Sequence, residues 1–207
     1  MLLHVHPDNP QPRALKTIAE CLADGGIIVY PTDTIYGLGC DIFQHKAIEQ
    51  VCRIKHIDPA KAQLSFICYD LSDLSRYAKS IDTPLYRLLK SHLPGPYTFI
   101  LPASKEVPRI LKSKKDTIGL RIPNNNIARE IVHTLGRPIL STSLPGEMVE
   151  EYTDPELIYG NFGNLVDIVV DGGIGGMVAS TIIDCTQDEL RVIRQGLGPW
   201  PESVGSQ

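Results

Sequence analysis

Ile27-Ile-Val-Tyr-Pro-Thr-Asp-Thr-Ile-Tyr-Gly-Leu-Gly39 decides how the rest of the chain is read. The run 27–30 is apolar throughout and β-branched at its first three positions, which predicts a strand buried on both faces. Pro31 has no N–H to give to a ladder, so the strand ends there. Three hydroxyls (Thr32, Thr34, Tyr36) and a carboxylate (Asp33) follow, and then Gly37 and Gly39 allow close approach of a backbone or a ligand. Open α/β sheets bind ligands just outside their strand ends. On the residues alone, a polar turn capped by glycines accounts for the stretch equally well.

Outward from it, strands and helices alternate. Apolar spacing predicts helices over 13–24, 46–54, 70–77, 83–92 and 126–135, with Asp70 or Ser72 as a cap and Gly136 as a stop. Strands are expected over 64–68, 97–101, 118–122, 138–144 and 166–170, plus an edge strand within 1–12. A final pair over 181–184 and 190–193 follows. Residues 145–164 read as loop with a short helix near 155–159, residues 171–176 as a flexible glycine loop, and the tail after Gly196 as loose. The fold class is therefore α/β, a twisted open mixed sheet with flanking helices. It is expected to be one domain over 1–207, with its core at about 13–197.

The bulk numbers exclude several classes. With 207 residues, 43% hydrophobic and 21% charged, the composition is that of an ordinary globular protein. A net charge of −4 argues against a polycation, so any basic site must be local. No apolar run approaches the roughly 18 to 20 residues that span a bilayer, and no signal-peptide pattern opens the chain. Five scattered cysteines without a Cys-x-x-Cys pair suggest reduced thiols and a cytoplasmic location.

Neither a Walker phosphate loop nor a dinucleotide fingerprint is present. A nucleotide would have to be held by scattered groups, and Lys55 after a helix, Arg121 at a strand end and Arg194 before a turn are such groups. Taken singly, each is more often a solvated surface cation.

The motifs resemble, in order, those of the YrdC/YciO family, the threonylcarbamoyl-AMP synthase family. The opening stretch is similar to its Tyr-Pro-Thr signature. Lys55 matches a Lys-x-Arg motif, Gly119-Leu-Arg-Ile-Pro123 an x-Arg-x-Pro motif, and Ser141-Thr-Ser143 a Ser-x-Asn motif. Ala179-Ser-Thr-Ile-Ile-Asp184 and Ile193-Arg-Gln-Gly196 complete the set. The resemblance implies an open sheet with a wide concave pocket. It also implies joining of L-threonine, bicarbonate and ATP, with Mg²⁺ carried by ATP, to give an adenylate used in the t6A modification of tRNA. Lys55 and Arg121 would be catalytic. Thr32, Thr34, Tyr36 and Arg121 would hold threonine, and Lys55, Ser141, Ser143, Ser180 and Arg194 would face the nucleotide. No metal ligand from the protein is implied. Ile57 and Ser143 stand where the family carries arginine and asparagine, as in its YciO branch, which places adenylate formation in question. The run Lys105, Arg109, Lys112, Lys114 and Lys115 is either a solvated face or a footprint for double-stranded RNA or tRNA, the alternative function.

Overall fold

The computed structural model describes residues 1–58, 64–111, 116–146, 152–187 and 189–201. Ten strands form one mixed sheet: β1 (Leu2–His4), β2 (Ile27–Tyr30), β3 (Gly37–Asp41), β4 (Ser65–Ile67), β5 (Tyr97–Pro102), β6 (Thr117–Arg121), β7 (Ile139–Ser143), β8 (Ile168–Asp171), β9 (Thr181–Asp184) and β10 (Arg191–Arg194). Their order is β1-β8-β2-β3-β7-β4-β6-β5-β9-β10. Among the described residues six α-helices flank them: α1 (Pro12–Ala23), α2 (His45–Ile54), α3 (Leu71–Tyr77), α4 (Thr83–His92), α5 (Asn126–Leu135) and α6 (Pro155–Phe162). The open mixed α/β sheet is thus as the sequence predicts. Caps agree in detail: the Asp70 side chain accepts from Asp73 N, and Gly136 closes α5 at φ +76°.

One strand escaped the sequence reading. Residues 37–41 pair antiparallel with β2 and with β7, and all five are buried. Glycine weakens a strand unless something approaches closely, and here the Tyr30 ring does. A Cβ on Gly37 would meet that ring at 3.0 Å, and one on Gly39 would meet the Leu140 carbonyl at 2.7 Å.

Strand periodicity then divides the two faces. On β2, Ile27 and Val29 enter one apolar cluster, while Ile28 and Tyr30 enter the other. The first cluster draws on β2, β3, β5, β6 and β9 and on helices α2, α3, α4 and α6. The second joins α1 and α5 to β2, β7 and β8. Residues 98, 100, 117, 119, 121, 182 and 184, on β5, β6 and β9, alternate with members of the first cluster and line a cavity instead. The functional surface is therefore the part of one sheet face that the α1–α5 pair leaves uncovered.

The C-terminal segment is not loose, contrary to expectation, as far as residue 200. Thr181 Oγ1 donates to Gly198 O at 2.5 Å and accepts from Gly196 N at 2.9 Å. Leu197 N donates to Ala179 O, and Tyr97 OH donates to Pro199 O. Trp200 packs against His92, Tyr97 and Phe99. A short polar tail carries no periodicity, so the one large aromatic that anchors it was overlooked.

Candidate functional site

The turn after β2 builds the first wall. With Pro31 ending the ladder, Thr32 organises the backbone: its Oγ1 donates to Ile35 O at 2.7 Å and accepts from Thr34 N at 3.0 Å. Arg121, at the end of β6, reaches this turn with one terminal nitrogen. Its Nη2 donates to Asp33 Oδ1 at 2.5 Å, Thr34 Oγ1 at 2.7 Å and, more weakly, Thr32 Oγ1 at 3.4 Å. Asp33 Oδ2 accepts from Asn124 N at 2.9 Å. Arg121 is only 7% exposed, and its Nε is buried with no hydrogen-bond partner. A buried N–H left unmet is costly.

Arg194, on the edge strand β10, faces Arg121 from the other side. Its Nε and Nη2 donate to Ser180 O at 3.1 and 2.8 Å, and Nη2 also reaches Ser180 Oγ at 3.3 Å. Ser180 Oγ lies 2.8 Å from Thr98 Oγ1. Burial, and then the nearby charge of Arg121, lower the Arg194 pKa from its ordinary value. The two guanidiniums thus bear on one space, and among the described residues no carboxylate forms an ion pair with Arg194. Ser141 Oγ accepts from Tyr30 OH at 2.5 Å. Lys55 caps α2 at the rim, donating to Ser143 Oγ and Leu144 O, both at 3.1 Å, and burial lowers its pKa.

The cavity these groups share is about 800 Å³. Thr32, Thr34, Tyr36, Arg121, Ser141, Ser143, Ser180 and Arg194 all line it, and Lys55 joins through its bonds to Ser143 and Leu144. Tyr36 contributes its ring, because its hydroxyl donates to Gly173 O at 2.6 Å. The glycine loop is clamped here: Gly176 N donates to Thr34 O, and a Cβ on Gly176 would meet that oxygen at 2.4 Å. Its lining also includes the apolar Leu64, Ile100, Leu111, Ile182 and Ile193, together with Thr117 and Asp184. Among the described residues, no group of three or more His, Cys, Asp or Glu could hold a metal ion.

The sequence reading missed Asp33 as the partner of Arg121, Thr98 beside Ser180, and Asp184. Each is a strand-end or alternating-strand polar residue, a pattern that also marks an ordinary wet sheet face. Ile57, in the family's arginine position, packs against the core rather than lining the cavity. Of the basic run, Lys105 and Arg109 are exposed, and Lys112, Lys114 and Lys115 lie outside the described residues.

Comparison with known proteins agrees with this architecture. The Sua5/YciO/YrdC family model (Telomere recombination) matches residues 20–196. The chain belongs to that family. It is 45% identical to the uncharacterized protein YciO of Escherichia coli K12 over 198 residues, covering 94% of this chain and 95% of YciO. The crystal structure of E. coli YciO superposes with a TM-score of 0.89, covering 96% and 97% of the two chains. Identity is 30% to the threonylcarbamoyl-AMP synthase of Coxiella burnetii, over 79% of this chain and 87% of that one. Pyrococcus abyssi Sua5, crystallised with L-threonine, superposes at TM-score 0.84 and 27% identity, covering 95% of this chain and 57% of Sua5. Among the described residues no helix is long and apolar enough to cross a membrane.

Proposed function

We propose that this protein is a threonylcarbamoyl-AMP synthase-type nucleotidyltransferase of the cytoplasm, acting on L-threonine, bicarbonate and ATP, whose product supplies the t6A modification of tRNA. The observation that carries the reading is the convergence of Arg121, Arg194 and the buried hydroxyls of Thr32, Thr34, Ser141 and Ser180 on one cavity. Relatives named threonylcarbamoyl-AMP synthase support it.

The threonine amine adds to bicarbonate with loss of water, giving a carbamate. A carbamate oxygen then attacks the α-phosphorus of ATP, the bond to the bridging oxygen breaks, and pyrophosphate leaves. Such transfer needs positioning and charge neutralisation more than covalent help. Arg121, held by Asp33, directs its guanidinium to the threonine carboxylate, while Thr32, Thr34 and the Tyr36 ring shape that end. Arg194, Ser180 and Ser141 receive the phosphates, and Lys55 stands at the rim near Ser143. Mg²⁺ carried by the nucleotide would supply further charge neutralisation at the phosphates.

Incubation with bicarbonate, Mg²⁺ and ATP should release pyrophosphate only when threonine is added. Absence of threonine-dependent release at high enzyme concentration would refute the reading. The RNA-binding alternative rests on exposed Lys105 and Arg109. It predicts salt-sensitive RNA retention with no pyrophosphate release.

A further inference from the structure

Among the described residues that line the cavity Asp184 is the one carboxylate, and neither the ion pairs nor the proposed chemistry employs it. It ends β9, and Ser180, just before that strand, Ile182 and Asp184 alternate along the chain and all three line the cavity. Four residues of strand at about 3.3 Å each place it about 13 Å from Ser180. That is the reach of a nucleoside phosphate with a hydrogen bond at each end. The floor between is suited to a flat ring. Ile100 is in register with Asp184 on one side and with Gly119 on the other. Gly119 has no side chain, and Leu111 and Ile182 add apolar walls. Asp184 Oδ1 already accepts from Thr186 N at 2.9 Å, leaving Oδ2 for a ligand.

We infer that Asp184 selects the base of the bound nucleotide, accepting a hydrogen bond from the exocyclic amine of adenine. The inference rests on the nucleotide reading above. A carboxylate is acceptor-only, so it favours a base presenting an N–H and repels one presenting a carbonyl there. With a single oxygen available, adenine's lone amine suits it better than guanine's paired donors. A lone carboxylate among aliphatic side chains is likewise a poor magnesium cradle.

The test compares equilibrium binding of ATP and inosine triphosphate, which has a carbonyl where adenine has the amine. Wild type should prefer ATP by about ten- to a hundredfold, the worth of one hydrogen bond to a charged group. Asp184→Asn keeps an acceptor for Thr186 N and gains an N–H₂ facing the cavity, so the preference should collapse or invert. Asp184→Ala, checked for folding by thermal unfolding, should lose ATP affinity without gaining any for the inosine nucleotide. An unchanged ATP preference in Asp184→Asn overturns the role of Asp184 and leaves the nucleotide reading standing. Equal wild-type affinities overturn it as well. If folded wild type binds neither nucleotide, the nucleotide reading itself falls and this inference with it.

Discussion

Two arginine–aspartate pairs sit at opposite ends of the same fold, and they are built differently. Arg137 bonds Asp41 through both Nε, at 2.8 Å, and Nη2, at 2.5 Å, and Asp41 Oδ1 accepts from Phe43 N. Asp41 is fully buried, and neither residue lines the cavity. That pair is closed: it pins the end of β3 to the turn before β7. Arg121 and Asp33 meet at a similar distance, with the arginine more deeply buried (9% side-chain exposure against 32% for Arg137), yet Arg121 spends one nitrogen on three oxygens and leaves Nε unmet. Burial and ion pairing alone therefore do not mark a site; a guanidinium that lines a cavity with part of its donor set unmatched does.

The comparison breaks most visibly at Asp41. Asp41→Ala strands Arg137 and leaves Phe43 N without its acceptor. The loss should be about 3 kcal/mol of unfolding free energy, at the low end for a broken buried pair because Arg137 is partly exposed. Chemical denaturation measures it, and threonine affinity of the folded fraction should be unchanged. Arg121→Met should cost threonine affinity as well as stability. Asp33 keeps Asn124 N, but its side chain is only 9% exposed, so stranding it should cost about as much stability as Asp41→Ala. Threonine affinity should fall about ten- to a hundredfold, since hydrogen bonds to charged groups contribute about 1.5–3 kcal/mol. Calorimetric titration beside a melting curve separates the two. A variant that unfolds yet binds threonine normally when refolded would make Arg121 a second Arg137.

The same contrast explains what could be read from the chain. The strand ending at Pro31 and the hydroxyl turn were legible because apolar run, proline and Thr-Asp-Thr are contiguous. So were α1 to α5, whose apolar spacing lies within each segment and is joined in α3, α4 and α5 by a side-chain cap from Asp70, Asp82 and Asn125. β3 was not, because its glycines signal a turn until the Tyr30 ring is known to lie over them. The Asp33–Arg121 pair joins residues 88 positions apart, and the Trp200 anchor reaches back to His92, so neither leaves a local pattern. The cations of the site were selected by ordered motifs. That they face one cavity follows from where α1 and α5 stop covering the sheet, which is a tertiary fact.

Lys55 extends the comparison to a cation with a hydroxyl and a carbonyl for partners, Ser143 Oγ and Leu144 O. Burial lowers its pKa below the ordinary 10.5. In the window between the folded value and 10.5, the unfolded chain holds a proton that the folded chain has released. Unfolding then takes up a proton, so this group's contribution to stability rises with pH through that window and is a constant penalty below it. Lys55→Met removes the titration. The stability of wild type minus that of Lys55→Met, from denaturation at a series of alkaline pH values, should therefore increase as pH approaches 10.5. A phosphate anion seated beside Lys55 restores preference for the charged form, so saturating pyrophosphate should flatten the slope. A difference that is flat without the anion would mean that Lys55 is as well solvated as a surface lysine, and the rim would lose its place in the site.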